Sequence, residues 1–125
     1  MRELFTVYGS ASPTAAGTGT FTNLTATIGY GTFSNITVPK GLKAKIWAKR
    51  LSGTVGYQLQ IQWGPSGSQA TISTENLASP GVIELEKRRP IVLVGDGTKQ
   101  LSFAYNASGA GTISFEVEIE LTDEE

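Results

Sequence analysis

The sequence predicts an all-β fold, an antiparallel β-sandwich of jelly-roll type with about eight to ten strands. Three observations carry this. Apolar residues recur at every second position in several windows, and no window sustains a 3.6-residue period. Gly, Pro, Ser and Asn cluster between those windows. The alternating segments also follow one another without the helical stretches that βαβ units would need.

Leu4–Tyr8 is a short apolar strand halted by Gly9 and Ser10. From Gly9 to Gly19 the chain holds small residues and Pro13, which reads as a flexible arm or long loop. Such an arm leaves Leu4–Tyr8 able to pair at a distance, including on a neighbouring subunit. The expected organisation is an N-terminal strand and arm over residues 1–19, then one sandwich domain over residues 20–125. Thr18–Ile28 and Thr32–Val38 are weaker strands, closed by a tight turn at Val38-Pro39-Lys40-Gly41.

Leu42–Leu51 alternates clearly, with Leu42, Ala44, Ile46 and Ala48 opposing Lys43, Lys45, Trp47 and Lys49. Val55 to Trp63 is the cleanest strand. Val55, Tyr57, Leu59, Ile61 and Trp63 point one way, and Gln58, Gln60 and Gln62 point the other. Gln69–Ser73, Val82–Glu86, Ile91–Val94 and Gln100–Tyr105 follow, separated by Gly64-Pro65-Ser66-Gly67, Ser79-Pro80-Gly81 and Gly95-Asp96-Gly97. After Ser108-Gly109-Ala110-Gly111 comes Thr112–Leu121, with Ile113, Phe115, Val117, Ile119 and Leu121 inward and Ser114, Glu116, Glu118 and Glu120 outward. The expected core is Val55, Tyr57, Leu59, Ile61, Ile113, Phe115, Val117 and Ile119.

Composition narrows the chemistry. The 125 residues include no Cys and no His, so zinc sites, thiol nucleophiles and His-based triads lack their residues. An enzyme is not expected, and neither is a cofactor or a metal. A net charge of −1 provides no global field for nucleic acid or an anionic membrane. The start, Met1 to Ser10, lacks the apolar core of a signal peptide, and no run reaches the roughly 20 apolar residues of a membrane span. Three N-x-[ST] triplets, beginning at Asn23, Asn35 and Asn106, read as chance in a Thr-rich chain.

Charge is nonetheless segregated. No acid occurs between Leu4 and Thr74, whereas Lys40, Lys43, Lys45, Lys49 and Arg50 gather around one strand. From Glu116 onward there are six acids and no base. A nucleic-acid face with Trp47 as stacking platform is one reading of the Lys strand. A solvated face is another. The spacing favours a third, in which Lys43, Lys45 and Lys49 meet Glu116, Glu118 and Glu120 within the sheet or across a subunit boundary.

Other motifs carry less. Glu84 with Glu86, and Glu116 with Glu118, stand roughly 6–7 Å apart on a strand, near glycosidase separations, but no aromatic-lined cleft is implied around them. Gly95-Asp96-Gly97 could offer Ca²⁺ one oxygen and lacks the further acids a hard cation requires, so a hairpin turn is favoured. Gly17-Thr18-Gly19 has no Lys-Ser/Thr or helix behind it, and Lys87-Arg88-Arg89 reads as a solvated turn before Pro90.

From Asn35 to Glu120 the order of strands and turns resembles small β-sandwich virion proteins of tailed phages and related viruses. The resemblance rests on Ile36-Thr37-Val38-Pro39-Lys40-Gly41, the turn Leu51-Ser52-Gly53-Thr54, and Trp63-Gly64-Pro65-Ser66-Gly67. It continues in Val82-Ile83-Glu84-Leu85 and Pro90-Ile91-Val92-Leu93-Val94-Gly95-Asp96-Gly97, then the closing pair Leu101–Ser108 and Gly111–Leu121. It spans about two thirds of the chain and contains no diagnostic residue; Lys40 departs from the Ala common there. The resemblance implies a non-enzymatic structural component that decorates or stabilises a capsid or tail. It further implies a homo-oligomer with a trimer preferred, a major capsid protein among the partners, and synthesis in the host cytoplasm before entry into the virion.

The expected interface comprises Leu4, Phe5, Val7 and Tyr8 of the N-terminal strand, Lys43, Lys45, Trp47 and Lys49, and Glu116, Glu118 and Glu120. The alternative is a carbohydrate- or ligand-binding module, whose sugar platform would draw on Tyr8, Tyr30, Trp47, Tyr57, Trp63 and Tyr105.

Overall fold

Alternation becomes two facing antiparallel sheets in a computed structural model, which describes residues 2–26, 32–33, 36–38, 40–86 and 90–123. Twelve strands are present among the described residues. They are β1 (Arg2–Ala11), β2 (Gly17–Thr20), β3 (Asn23–Ala26), β4 (Thr32–Phe33), β5 (Ile36–Thr37) and β6 (Leu42–Gly53), then β7 (Tyr57–Pro65), β8 (Ala70–Leu77), β9 (Gly81–Glu84), β10 (Ile91–Val94), β11 (Lys99–Ala107) and β12 (Ile113–Asp123). The larger sheet runs β10-β6-β12-β1-β3-β4, with β9 also beside β6. The smaller runs β2-β11-β7-β8, with β5 also on β11.

Strand count exceeds the expectation because two expected strands are divided. Thr18–Ile28 becomes β2 in the small sheet and β3 in the large one, and the chain crosses between them at Phe21. Thr32–Val38 likewise splits into β4 and β5, in different sheets. Residues 27–31, 34–35, 39 and 87–89, which include Tyr30, Asn35 and the Lys87-Arg88-Arg89 turn, lie outside the described residues.

Phe21 explains the first division. It is fully buried, and its ring meets Phe115 at 4.8 Å, Tyr105 at 5.2 Å and Tyr57 at 6.2 Å between centroids, all edge-on. Edge-to-face contacts of this kind add roughly 0.5–1.5 kcal/mol per pair beyond the buried area. The Phe21 amide donates to the Phe103 carbonyl at 2.9 Å, fixing the crossover to the small sheet. Around this cluster pack Leu59, Ile61, Ile113, Val117 and Ile119 as expected, whereas Val55 is half-buried in the link between β6 and β7.

The N-terminal segment departs most from expectation. Rather than a detachable arm, β1 lies between β12 and β3, pairing with β12 from Arg2↔Thr122 to Ala11↔Ile113. Gly9 makes this possible. A Cβ there would collide with the Phe115 ring across the strand pair, so the small residue that seemed to end a strand instead seats an aromatic over its backbone.

A bulge corrects the phase of β6. Glu116 pairs with Arg50 and Val117 with Ala48, leaving Lys49 as an extra residue. Ala44 and Ile46 face the core before the bulge and Leu51 faces it afterwards, so Lys49 and Arg50 can both be exposed.

Candidate functional site

The outer face of the large sheet concentrates what the core does not use. Reading across paired strands gives rows of side chains on this face. One row is Leu4, Glu120, Lys45 and Val92, on β1, β12, β6 and β10. Another is Tyr8, Glu116, Arg50 and Glu84, ending on β9. Near the far end Ser10, Ser114, Ser52 and Val82 form a third, with the Ser52 and Ser114 hydroxyls hydrogen-bonded.

Lysines and glutamates therefore meet within the sheet. Lys49 Nζ lies 3.6 Å from Glu118 and 3.9 Å from Glu116, and Lys45 Nζ lies 4.0 Å from Glu120. The bulge at Lys49 allows one ammonium to serve two carboxylates. Partly exposed pairs of this length contribute only about 0–1 kcal/mol each, so their effect is on register and on which surface can approach.

Apolar groups flank the charged centre. Leu4, Tyr8, Val82, Val92 and Val94 are between 43% and 59% exposed. Among the described residues every large apolar side chain that stands exposed, except Ile72, is on this face. Ile72 is the extra residue of a second bulge, on β8. A hollow of about 220 Å³ opens among Tyr8, Ser10, Arg50, Ser52, Ser114 and Glu116. A smaller one of about 120 Å³ lies where the sheets part, bordered by Ile46, Trp47, Ile61, Glu75, Leu85 and Ile91.

The residues expected at an interface are placed as follows. Leu4 and Tyr8 project from the face, and Lys43, Lys45, Trp47, Lys49, Glu116, Glu118 and Glu120 share it. Val7 does not, because its parity on β1 turns it into the core. Phe5 pairs with Ile119, and its side chain lies outside the described part. The expected interface left out Val82, Val92, Val94, Arg50 and Glu84, which share this face. Ile91–Val94 is a continuous apolar run with no alternation to assign its faces, and β9 and β10 lie at the margin of the sheet and turn alternate valines outward.

Other candidate chemistry is not assembled. Trp47 and Tyr105 belong to different sheets, and Tyr105 is half-buried against Phe21, so they share no sugar-stacking plane. Tyr57 is buried and its hydroxyl donates to the Ser114 carbonyl. Asp96 Oδ1 accepts from the Lys99 amide at 2.8 Å, the Thr98 amide at 2.9 Å and the Thr98 hydroxyl at 3.0 Å. Those amides, Lys99's first, hold its carboxylate below the usual range, and Gly97 takes φ 85° beside it. The segment is thus a capped turn. Among the described residues no three acids converge as metal ligands, and no helix is long and apolar enough to cross a membrane.

No protein-family model and no curated protein sequence matches the chain. Solved structures do share its fold. Murine APRIL aligns over 93% of this chain and 98% of its own, at 9% identity and a TM-score of 0.57. A structure of Bacillus endospore appendages, a family of disulfide-linked pili, covers 98% of this chain and 89% of its own at 12% identity and 0.53. The globular domain of zebrafish complement 1qA covers 98% and 97% at 10% identity and 0.50. The likeness is one of fold: all-β, two antiparallel sheets, of jelly-roll type.

Proposed function

We propose that this chain is a non-enzymatic structural protein that associates with itself and serves as a decorating or stabilising component of a virion. The observation that carries the self-association is the outer face of the large sheet, where most exposed large apolar side chains flank a charge-balanced centre. Soluble monomers rarely gather exposed apolar groups on one face without a partner for it. The absence of Cys and His and the lack of a convergent acid cluster among the described residues support a role without catalysis. The virion assignment draws on the strand and turn order from Asn35 to Glu120. Among proteins of this fold, the Bacillus endospore appendages are pili held by disulfides. A chain with no Cys would assemble through its surfaces alone.

Electron microscopy of particles isolated from cells expressing the chain beside its genomic neighbours tests the virion role. Regular density for this sandwich on a head or tail is the expected result. Capsid assembly that proceeds with the chain left soluble would overturn that role.

A further inference from the structure

One row on the outer face of the large sheet is complementary to itself read backwards over its full width. Leu4, Glu120, Lys45 and Val92 run apolar, acid, base, apolar. Two rows along, the middle is again acid then base, Glu116 and Arg50, with Tyr8 at one end and Glu84 at the other; the row between them sets Glu118 beside Trp47. Between acid and base lies one line, the seam separating β12 from β6. We infer that a second copy of this chain docks on this face, related by a two-fold axis that runs along that seam parallel to the strands. The inference rests on the self-association proposed above and specifies its geometry.

Such an axis exchanges the sides of the seam and keeps position along the strands. The Lys strand β6 of each copy then lies over the Glu strand β12 of the other, and the β9 and β10 margin lies over β1. Lys45 faces Glu120 of the second copy, Arg50 faces its Glu116, and Val92 faces its Leu4. An isologous interface requires this reciprocity, in which a contact from one copy to the other is made twice. A three-fold arrangement, the expectation drawn from the resemblance, would not use the symmetry of the rows.

The energetics are favourable to the same geometry. Within one copy the acid of each pair is the more buried member, Glu120 being 10% exposed at its side chain and Lys45 34%. Much of the carboxylate desolvation is therefore already met by the chain's own fold, and the ammonium groups remain outermost, able to bridge two glutamates. Interfacial ion pairs fix orientation and exclude wrong partners more than they add affinity. Affinity would come from Val92 against Leu4, while Tyr8 faces Glu84 with Val82 one row away. The four overlapping strand positions, at about 4.8 Å spacing and about 33 Å length, cover about 600 Å² per copy. That is about 1,200 Å² in total, where specific interfaces begin.

The chain has no Cys, which permits a direct test. Leu4→Cys and Val92→Cys are made separately, both at exposed positions where the fold should persist. Under the seam axis, residue 4 of one copy stands about 10 Å from residue 92 of the other, the spacing of stacked sheets. Two copies of the same variant hold their thiols about 17 Å apart, from the three strand spacings between those positions. A bismaleimide that spans only the shorter distance should give several-fold more covalent dimer from the mixture than from either variant alone. A wild-type protein that self-associates while the mixture cross-links no better than the single variants overturns the axis and leaves self-association standing. A wild-type protein that stays monomeric under the same conditions overturns both.

Discussion

At Tyr57 a single hydroxyl joins the two sheets. The residue sits on β7 of the small sheet and donates to the Ser114 carbonyl on β12 of the large one. Burial pushes its phenol well above the ordinary tyrosine value. The sign follows from where the proton is held. Below about pH 10, the unfolded value, the phenol is neutral in both states and its contribution is intact. Above that pH the unfolded chain releases the proton first, so stability falls as pH rises. Tyr57→Phe should cost about 0.5–1.5 kcal/mol at neutral pH. It should also flatten the alkaline fall measured by urea unfolding at successive pH values, and an unchanged slope would refute this account. Gly9 gives a second residue-scale expectation. Gly9→Ala forces a methyl against Phe115 and Leu24, both buried, and should destabilise by about 1–3 kcal/mol in the same assay.

Pairing of β6 with β12 shows how far alternation reaches. The matching two-residue spacing of the lysines and glutamates was legible in the sequence, and it carried the idea that the two strands meet. Joint replacement of Lys45 and Lys49 by Glu should lower stability by about 1 kcal/mol, most visibly at low salt. Adding Glu118→Lys and Glu120→Lys to the same chain should restore part of that loss in chemical denaturation. If the combined variant is less stable than the lysine replacements alone, the pairs do not set the register. The bulge at Lys49 was not legible, because an inserted residue leaves no mark on a strand whose sequence reads Ala48-Lys49-Arg50-Leu51 either way. Nor was the position of β1. Pairing between residues 2–11 and 113–122 closes a loop of nearly the whole chain, and nothing in Leu4–Tyr8 names its partner. Small residues at 9–19 looked like an arm because two of them, Gly9 and Gly19, make room for Phe115 and Tyr105. Faces were legible for long strands and not for short ones: Val82, Val92 and Val94 were seen as strand residues, but only the sheet order turns them outward.

For the whole molecule, the two sheets do unequal work. Between them lies the aromatic cluster around Phe21, which holds the sandwich together without disulfides. The outer face of the small sheet presents Gln58, Gln60, Gln62 and Asn106, uncharged and hydrated. The outer face of the large sheet presents ion pairs between apolar margins, a surface suited to meeting its own kind. Removing one margin should therefore weaken association without touching the fold. Sedimentation velocity over a wide concentration range, comparing the wild-type chain with Val92→Lys, tests this most directly. The wild type should pass from monomer to dimer as concentration rises, and Val92→Lys should need about ten- to a hundred-fold more protein for the same shift, a loss of roughly 1.4–2.7 kcal/mol. Far-UV circular dichroism should be the same for both. A wild-type chain that sediments as a monomer throughout, or a Val92→Lys chain that associates as strongly, would contradict self-association through this face.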